Sequence, residues 1–184
     1  MQRRLFLAVS LAPALAWGRT PVAKVLGKTI YDDETAKPGR SLDGQILRPL
    51  MQRFAEQQKL TVTEAEVAEL ETALKLPAPP PGLSDADKAM LRELPRSMVL
   101  QWKTGRALYQ RYGGEVIFQQ ANPMEPVGAM RKFLEEQEKA GAFEIYGADD
   151  RKRFYDYYVR PQMMVVPKEK VNFDVPWWRN AQGK

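Results

Sequence analysis

Carboxylates are the groups through which this chain could make or break bonds, because it contains no histidine and no cysteine. Two acids placed on either side of a bond can hydrolyse it. Glu135-Glu136 and Asp149-Asp150 are the pairs that composition offers. Adjacent residues of a helix point in different directions, however. Both pairs therefore read as solvated faces, or as first-turn acids that the helix dipole favours. Asp32-Asp33-Glu34 supplies oxygen ligands, but without the glycine spacing of a calcium loop. No metal ligand is assigned.

Other chemistries are closed off by composition. Without imidazole or thiol, Ser-His-Asp and Cys-His arrangements cannot be built, nor can a zinc site made of those ligands. Ser41, Ser84 and Ser97 are the serines beyond the first eighteen residues. None lies in a nucleophile elbow, and none precedes a lysine by three positions. No GxxxxGK[ST] or GxGxxG run occurs, so no phosphate cradle is present. The expectation is a protein with no catalytic residue and no cofactor.

Charge argues the same way about nucleic acid. The formal net charge is +5, and Arg3 and Arg4 supply two of those units. Elsewhere the signs alternate, as where Arg131-Lys132 precedes Glu135-Glu136. A nucleic-acid binder gathers its positive charge on one face, so no such partner is expected.

The elements that would carry any site begin after a leader-like segment. MQRRLFLAVSLAPALAWG (1–18) has two early arginines, an apolar run from Leu5 to Leu15, and the small-x-small pattern Ala14-Leu15-Ala16. That run is about half the length needed to cross a bilayer, so it reads as a removable signal peptide. Periplasmic or other extracytoplasmic location follows as an expectation. About 167 residues would remain after cleavage, the size of one domain. A chain of that length buries roughly 70% of its unfolded surface and needs no disulfide. No later stretch is apolar enough to span a membrane.

Residues 22–31 (VAKVLGKTIY) predict a hairpin turning at Leu26-Gly27-Lys28, and 32–40 a charged loop. Ser41 caps a helix to about Gln58 whose apolar face is Leu42, Ile46, Leu47, Leu50, Met51 and Phe54. Pro49 either kinks that helix or marks a fresh start near Arg48. Thr63 and Glu66 match the capping box of a helix ending near Lys75.

PAPPPG (77–82) predicts a polyproline connector. Ser84 opens a helix with Met90, Leu91 and Leu94, which Pro95 interrupts. A second helix runs from Ser97 to Tyr112, with Met98, Val99, Trp102 and Leu108 inward, and Gly113-Gly114 ends it. Glu115–Gln119 is a candidate strand. Pro123 or Pro126 opens a helix over 125–139 that Gly141 terminates. Phe143 to Tyr146 is extended, a last helix runs from Asp149 to about Val159, and the tail 161–184 is extended. The predicted fold class is mainly α with a small β-hairpin or short sheet. A helical domain occupies 19–160, followed by the proline- and tryptophan-containing tail.

The order VAKVLGKTI (22–30), apolar helix (42–57), LTVTEAEV (60–67) resembles the N-terminal segment of SurA-like periplasmic chaperones and parvulin-type foldases. The likeness covers about 45 of the 184 residues. It implies a helical SurA-N-like domain with an apolar cradle for unfolded polypeptide. Residues 32–40 add a polar loop to that pattern, and the histidines and glycine-rich stretches of a parvulin domain are missing. The segment YGGEVIFQQANPMEPVGAMRKFLEEQEKAGAFEI (112–145) resembles exported bacterial proteins of no assigned activity.

The function expected is a non-catalytic peptide- or protein-binding protein of the cell envelope, chaperone-like. Its partner would be an unfolded or extended polypeptide, or an envelope protein. The alternatives are a prolyl isomerase-related enzyme and a structural scaffold of an envelope complex. Eight methionines support the first reading, because flexible thioethers suit promiscuous surfaces. The residues expected to grip the partner are Leu47, Met51, Phe54, Met98, Trp102, Trp177 and Trp178.

Overall fold

Alternation in the first segment places Ala23 and Val25 inward while Lys24 stays exposed, the two-residue period of a strand with one covered face. A computed structural model describes residues 18–77, 80–120 and 122–180. The leader, apart from Gly18, lies outside these residues, as do part of the proline connector and the last four residues. Strand β1 (Pro21–Val25) pairs antiparallel with β2 (Lys28–Tyr31), with Ala23 opposite Ile30. Its other edge takes β3 (Phe143–Ile145), with Ala23 opposite Ile145. The sheet order is β2-β1-β3.

The hairpin turns through Leu26 at φ 47° and Gly27 at φ 86°. Positive φ at both central positions is the demand of a type I′ turn, which asparagine and glycine meet most easily. Leucine meets it under strain. The Leu26 N–H donates to the Ala142 carbonyl at 2.8 Å, which ties the turn to the chain entering β3.

Helix starts follow the side chains that cap them. Ser41 accepts from the Gly44 N–H to begin α2 (Leu42–Gln57), after a short helix α1 (Asp32–Thr35). That turn of helix stands where a loop was expected. The Asp32 carboxylate accepts the Thr20 and Asp33 N–H groups, which ties its first residue to the chain entering β1. Thr63 and Glu66 form the full capping box of α3 (Glu64–Leu74), and Ser84 accepts from Asp87 N–H to start α4 (Asp85–Tyr112).

Pro95 does not interrupt a helix as expected, and Pro49 marks no fresh start. Pro49 lies inside α2, and Pro95 lies inside a single 28-residue α4. A proline costs one backbone bond and a ring clash, but Pro95 is buried. Ser97, instead of opening a helix, returns its hydroxyl to the Leu94 carbonyl at 2.7 Å. Burial of the ring and the long helix on either side outweigh the single lost bond.

Gly113 and Gly114, at positive φ, release the chain from α4. Residues 115–119 make isolated bridges at Ile117, to Glu125 and Val165, in place of the expected strand. Helix α5 (Val127–Lys139) ends at Gly141 with the Ala142 N–H reaching back to Gln137, the Schellman closure. Helix α6 (Ala148–Val159) follows β3, and the last described element is a short helix α7 (Trp177–Asn180). The protein is mainly helical with a small three-stranded antiparallel sheet. No helix among the described residues is long and apolar enough to cross a membrane.

Two buried clusters hold these elements. The larger joins the sheet to α2, α5, α6 and the end of α4 through Ile30, Leu50, Phe54, Leu108, Phe133 and Phe154. The smaller consists of Leu70, Val99, Trp102 and Trp178, where α3, α4 and α7 meet.

Candidate functional site

The residues expected to grip a partner are divided between those clusters. Phe54 is buried and meets Phe133 edge-on at 5.3 Å, while Leu47 and Met51 pack half-buried against the same core. Trp102 and Trp178 are buried against each other, ring centroids 5.5 Å apart, with Met98 and Trp177 half-buried beside them. The seven do not line one groove. Burying a large aromatic against apolar neighbours is worth more to the fold than exposing it, so these side chains serve internal packing.

The tail is what completes the smaller cluster. From Pro161 it runs past Ile117, and the Val166 N–H donates to the Val116 carbonyl at 2.8 Å. Phe173 then stacks on Tyr109 at 4.9 Å, and Trp178 fills the space between α3 and α4. Arg179 clamps the end by pairing with Glu69 on α3. The cleft between α3 and α4 is thus occupied by the chain's own C-terminal indole.

Beyond that indole the pattern reverses. In the first third of α4, Met90 is 66% exposed and Leu94 50%, with Leu91 beside them on the surface. Leu91 and Leu94, with Leu76, Pro77, Pro80 and Leu83 from the stretch between α3 and α4, line an open hollow of about 580 Å³. That volume lies within the range of binding pockets. Charges in its wall are few: Arg92 on one side and Glu71 on the other. The prolines offer no N–H donors, so the surface meets its occupant through apolar contact.

A second exposed apolar area lies on the tail. Met163 is fully in solvent, Met164 is 58% exposed, and Phe118 donates its N–H to the Met164 carbonyl at 2.8 Å. Val165 bridges Ile117 on one side. Among the described residues, no backbone group pairs with the N–H or carbonyl of Val165, which leaves an open strand edge.

The strongest titration shifts belong to packing and not to either surface. Tyr157 donates to Glu125 Oε2 at 2.7 Å and accepts from Gln119, fastening α6 to the turn before α5. Burial raises the Glu125 carboxyl and the Tyr157 phenol above their ordinary values. Tyr112 is pushed up to about 12, first by burial and then by its bond to Glu136. In the opposite direction, two bonds from Arg151 hold Glu138 below the ordinary carboxylate range. Among the described residues no group of acids is placed to hold a metal ion.

The exposed stripe on α4 was visible in sequence as Met90, Leu91 and Leu94, at helical spacing. Its freedom from internal partners was not, because periodicity marks a face and not what covers it. No family model, no curated protein and no solved structure matches this chain.

Proposed function

We propose that this is an extracytoplasmic, non-catalytic binding protein that holds extended polypeptide segments, in the manner of a chaperone. The observation that carries the reading is the uncovered apolar third of α4, facing the proline-lined hollow. Contiguous exposed apolar surface marks interaction sites. A surface walled by leucines and prolines, with one charge of each sign, selects for apolar side chains and tolerates sequence variation. The open edge at Val165, flanked by Met163 and Met164, adds a place where an extended backbone can pair. The leader and the SurA-like opening support the location and the class of client.

Suppression of aggregation of a chemically unfolded client tests this directly. The protein in molar excess is expected to slow aggregation, and the double variant Leu91→Glu, Leu94→Glu to lose most of that effect while remaining folded. No suppression by the wild type, or equal suppression by the variant, overturns the proposal. Turnover of a proline-containing peptide in an isomerisation assay overturns its non-catalytic part. Recovery of one stoichiometric folded partner in place of unfolded clients would favour a scaffold instead.

A further inference from the structure

A hollow of about 520 Å³ lies between the β1–β2 turn and the start of α2. Its floor is apolar. Val25 and Ile30 belong to the buried core, and Leu26 and Pro49 continue the surface outward. Its rim is cationic, with Lys28, Arg40 and Arg48 and no acidic side chain among the lining residues. Gly44 and Gln45 put the first turns of the sixteen-residue α2 into the wall, where the positive end of the helix dipole adds to the same field.

Two features of this hollow bear on what it would hold. Most arginines of the described chain pair with a carboxylate, as Arg19 does with Asp33 and Arg151 with Glu138. Among the described residues, Arg40, Arg48 and Lys28 have neither an ion pair nor a side-chain hydrogen bond. Three like charges around one concavity, without a counter-charge, repel one another. An anion seated among them relieves that repulsion and gains attraction from all three. The second feature is Leu26, an apolar residue held at φ 47° and 41% exposed on the rim. A leucine in the left-handed region is strained where asparagine or glycine would not be. Strain kept at an exposed position points to a use for the side chain.

We propose that this hollow binds an amphiphilic anion: an oxyanion head held by Lys28, Arg40 and Arg48, and a hydrocarbon body lying on Leu26, Ile30 and Pro49. The cations supply the attraction for the head, and arginine's planar fork matches a carboxylate or phosphate. The apolar floor rejects small hydrated anions by giving them nothing to bury. This site stands independently of the apolar hollow on α4.

Calorimetric titration of the full chain with decanoate, decyl phosphate, decyltrimethylammonium and acetate tests the assignment, with each amphiphile kept below its self-assembly concentration. Decanoate or decyl phosphate saturates one site, and the tighter of the two identifies the head. The cationic amphiphile and acetate bind at least about tenfold more weakly, the weight of one lost charge-assisted contact. The double variant Arg40→Gln, Arg48→Gln loses about tenfold or more, while Lys152→Gln, on the exposed surface of α6, binds as the wild type does.

Leu26→Asn separates binding from folding. It relaxes the turn, so the melting temperature rises by roughly 2 °C, while affinity for the amphiphilic anion falls severalfold. Failure of both anionic amphiphiles to bind overturns the proposal, as does equal binding of the cationic one or unchanged affinity in the double arginine variant. Acetate matching decanoate, or Leu26→Asn binding as the wild type, overturns the apolar half of the site.

Discussion

Helix α4 carries one apolar stripe through two different surroundings. From Pro95 to Tyr112 the stripe is covered: Val99 and Leu108 are sealed from solvent and Trp102 nearly so. From Asp85 to Leu94 the same stripe faces solvent through Met90, Leu91 and Leu94. The difference does not arise from the helix itself. It arises from what packs on each part: α3 and Trp178 of the tail cover Val99 and Trp102, and the larger core covers Leu108. A helix's own pattern creates an apolar face, and a distant segment decides whether that face becomes core or surface.

The sharpest way to break this comparison is to remove the cover. Trp178→Ala takes a fully buried indole from between α3 and α4 and is expected to cost about 4 kcal/mol in chemical denaturation. If the loss were under about 1 kcal/mol, the tail would not be part of what covers α4. Hydrogen exchange reads the same contrast without mutation. Amides of 96–112 should approach the protection of the whole fold, and those of 86–94 should exchange about tenfold or more faster through local opening.

In the larger core's shell, between α5 and α6, charge contributes a smaller amount with a defined pH dependence. Arg151 holds Glu138 below the ordinary carboxylate range. A depressed carboxyl stabilises the fold above its unfolded value and loses that contribution as pH falls through the lower folded value. Glu138→Gln should therefore cost at most about 1 kcal/mol at neutral pH. The difference from wild type should vanish in acid. Leu94→Ala, on the open side, should change stability by no more than about 0.5 kcal/mol. A loss comparable to that of Trp178→Ala would mean that Leu94 is core after all.

Local chemistry made much of the fold legible in the sequence. Ser41, Ser84 and the Thr63–Glu66 pair start helices because each side chain satisfies an N–H a few residues away, and Gly141 ends one because it takes a positive φ. Pairings between distant segments were not legible. Nothing near Phe143 announces β1 as its partner, and Ile117 gains its bridges from Glu125 and Val165, one of them 48 residues later in number. Pro95 misled because a local rule ignores the packing that tolerates it. The expected gripping residues misled for a related reason. Phe54, Trp102 and Trp178 are large and apolar, and that property recommends them equally for a core. The leucines and methionine of the open part of α4 look no different in sequence. What packs against each side chain from elsewhere in the chain separates the two groups.

Photo-crosslinking from chosen positions tests the central claim most directly. A photoreactive phenylalanine replacing Leu94 should capture an unfolded client added to the full chain, and one replacing Lys132 on the exposed face of α5 should not. Equal capture from both positions, or none from position 94, would contradict an apolar grip centred on the uncovered part of α4.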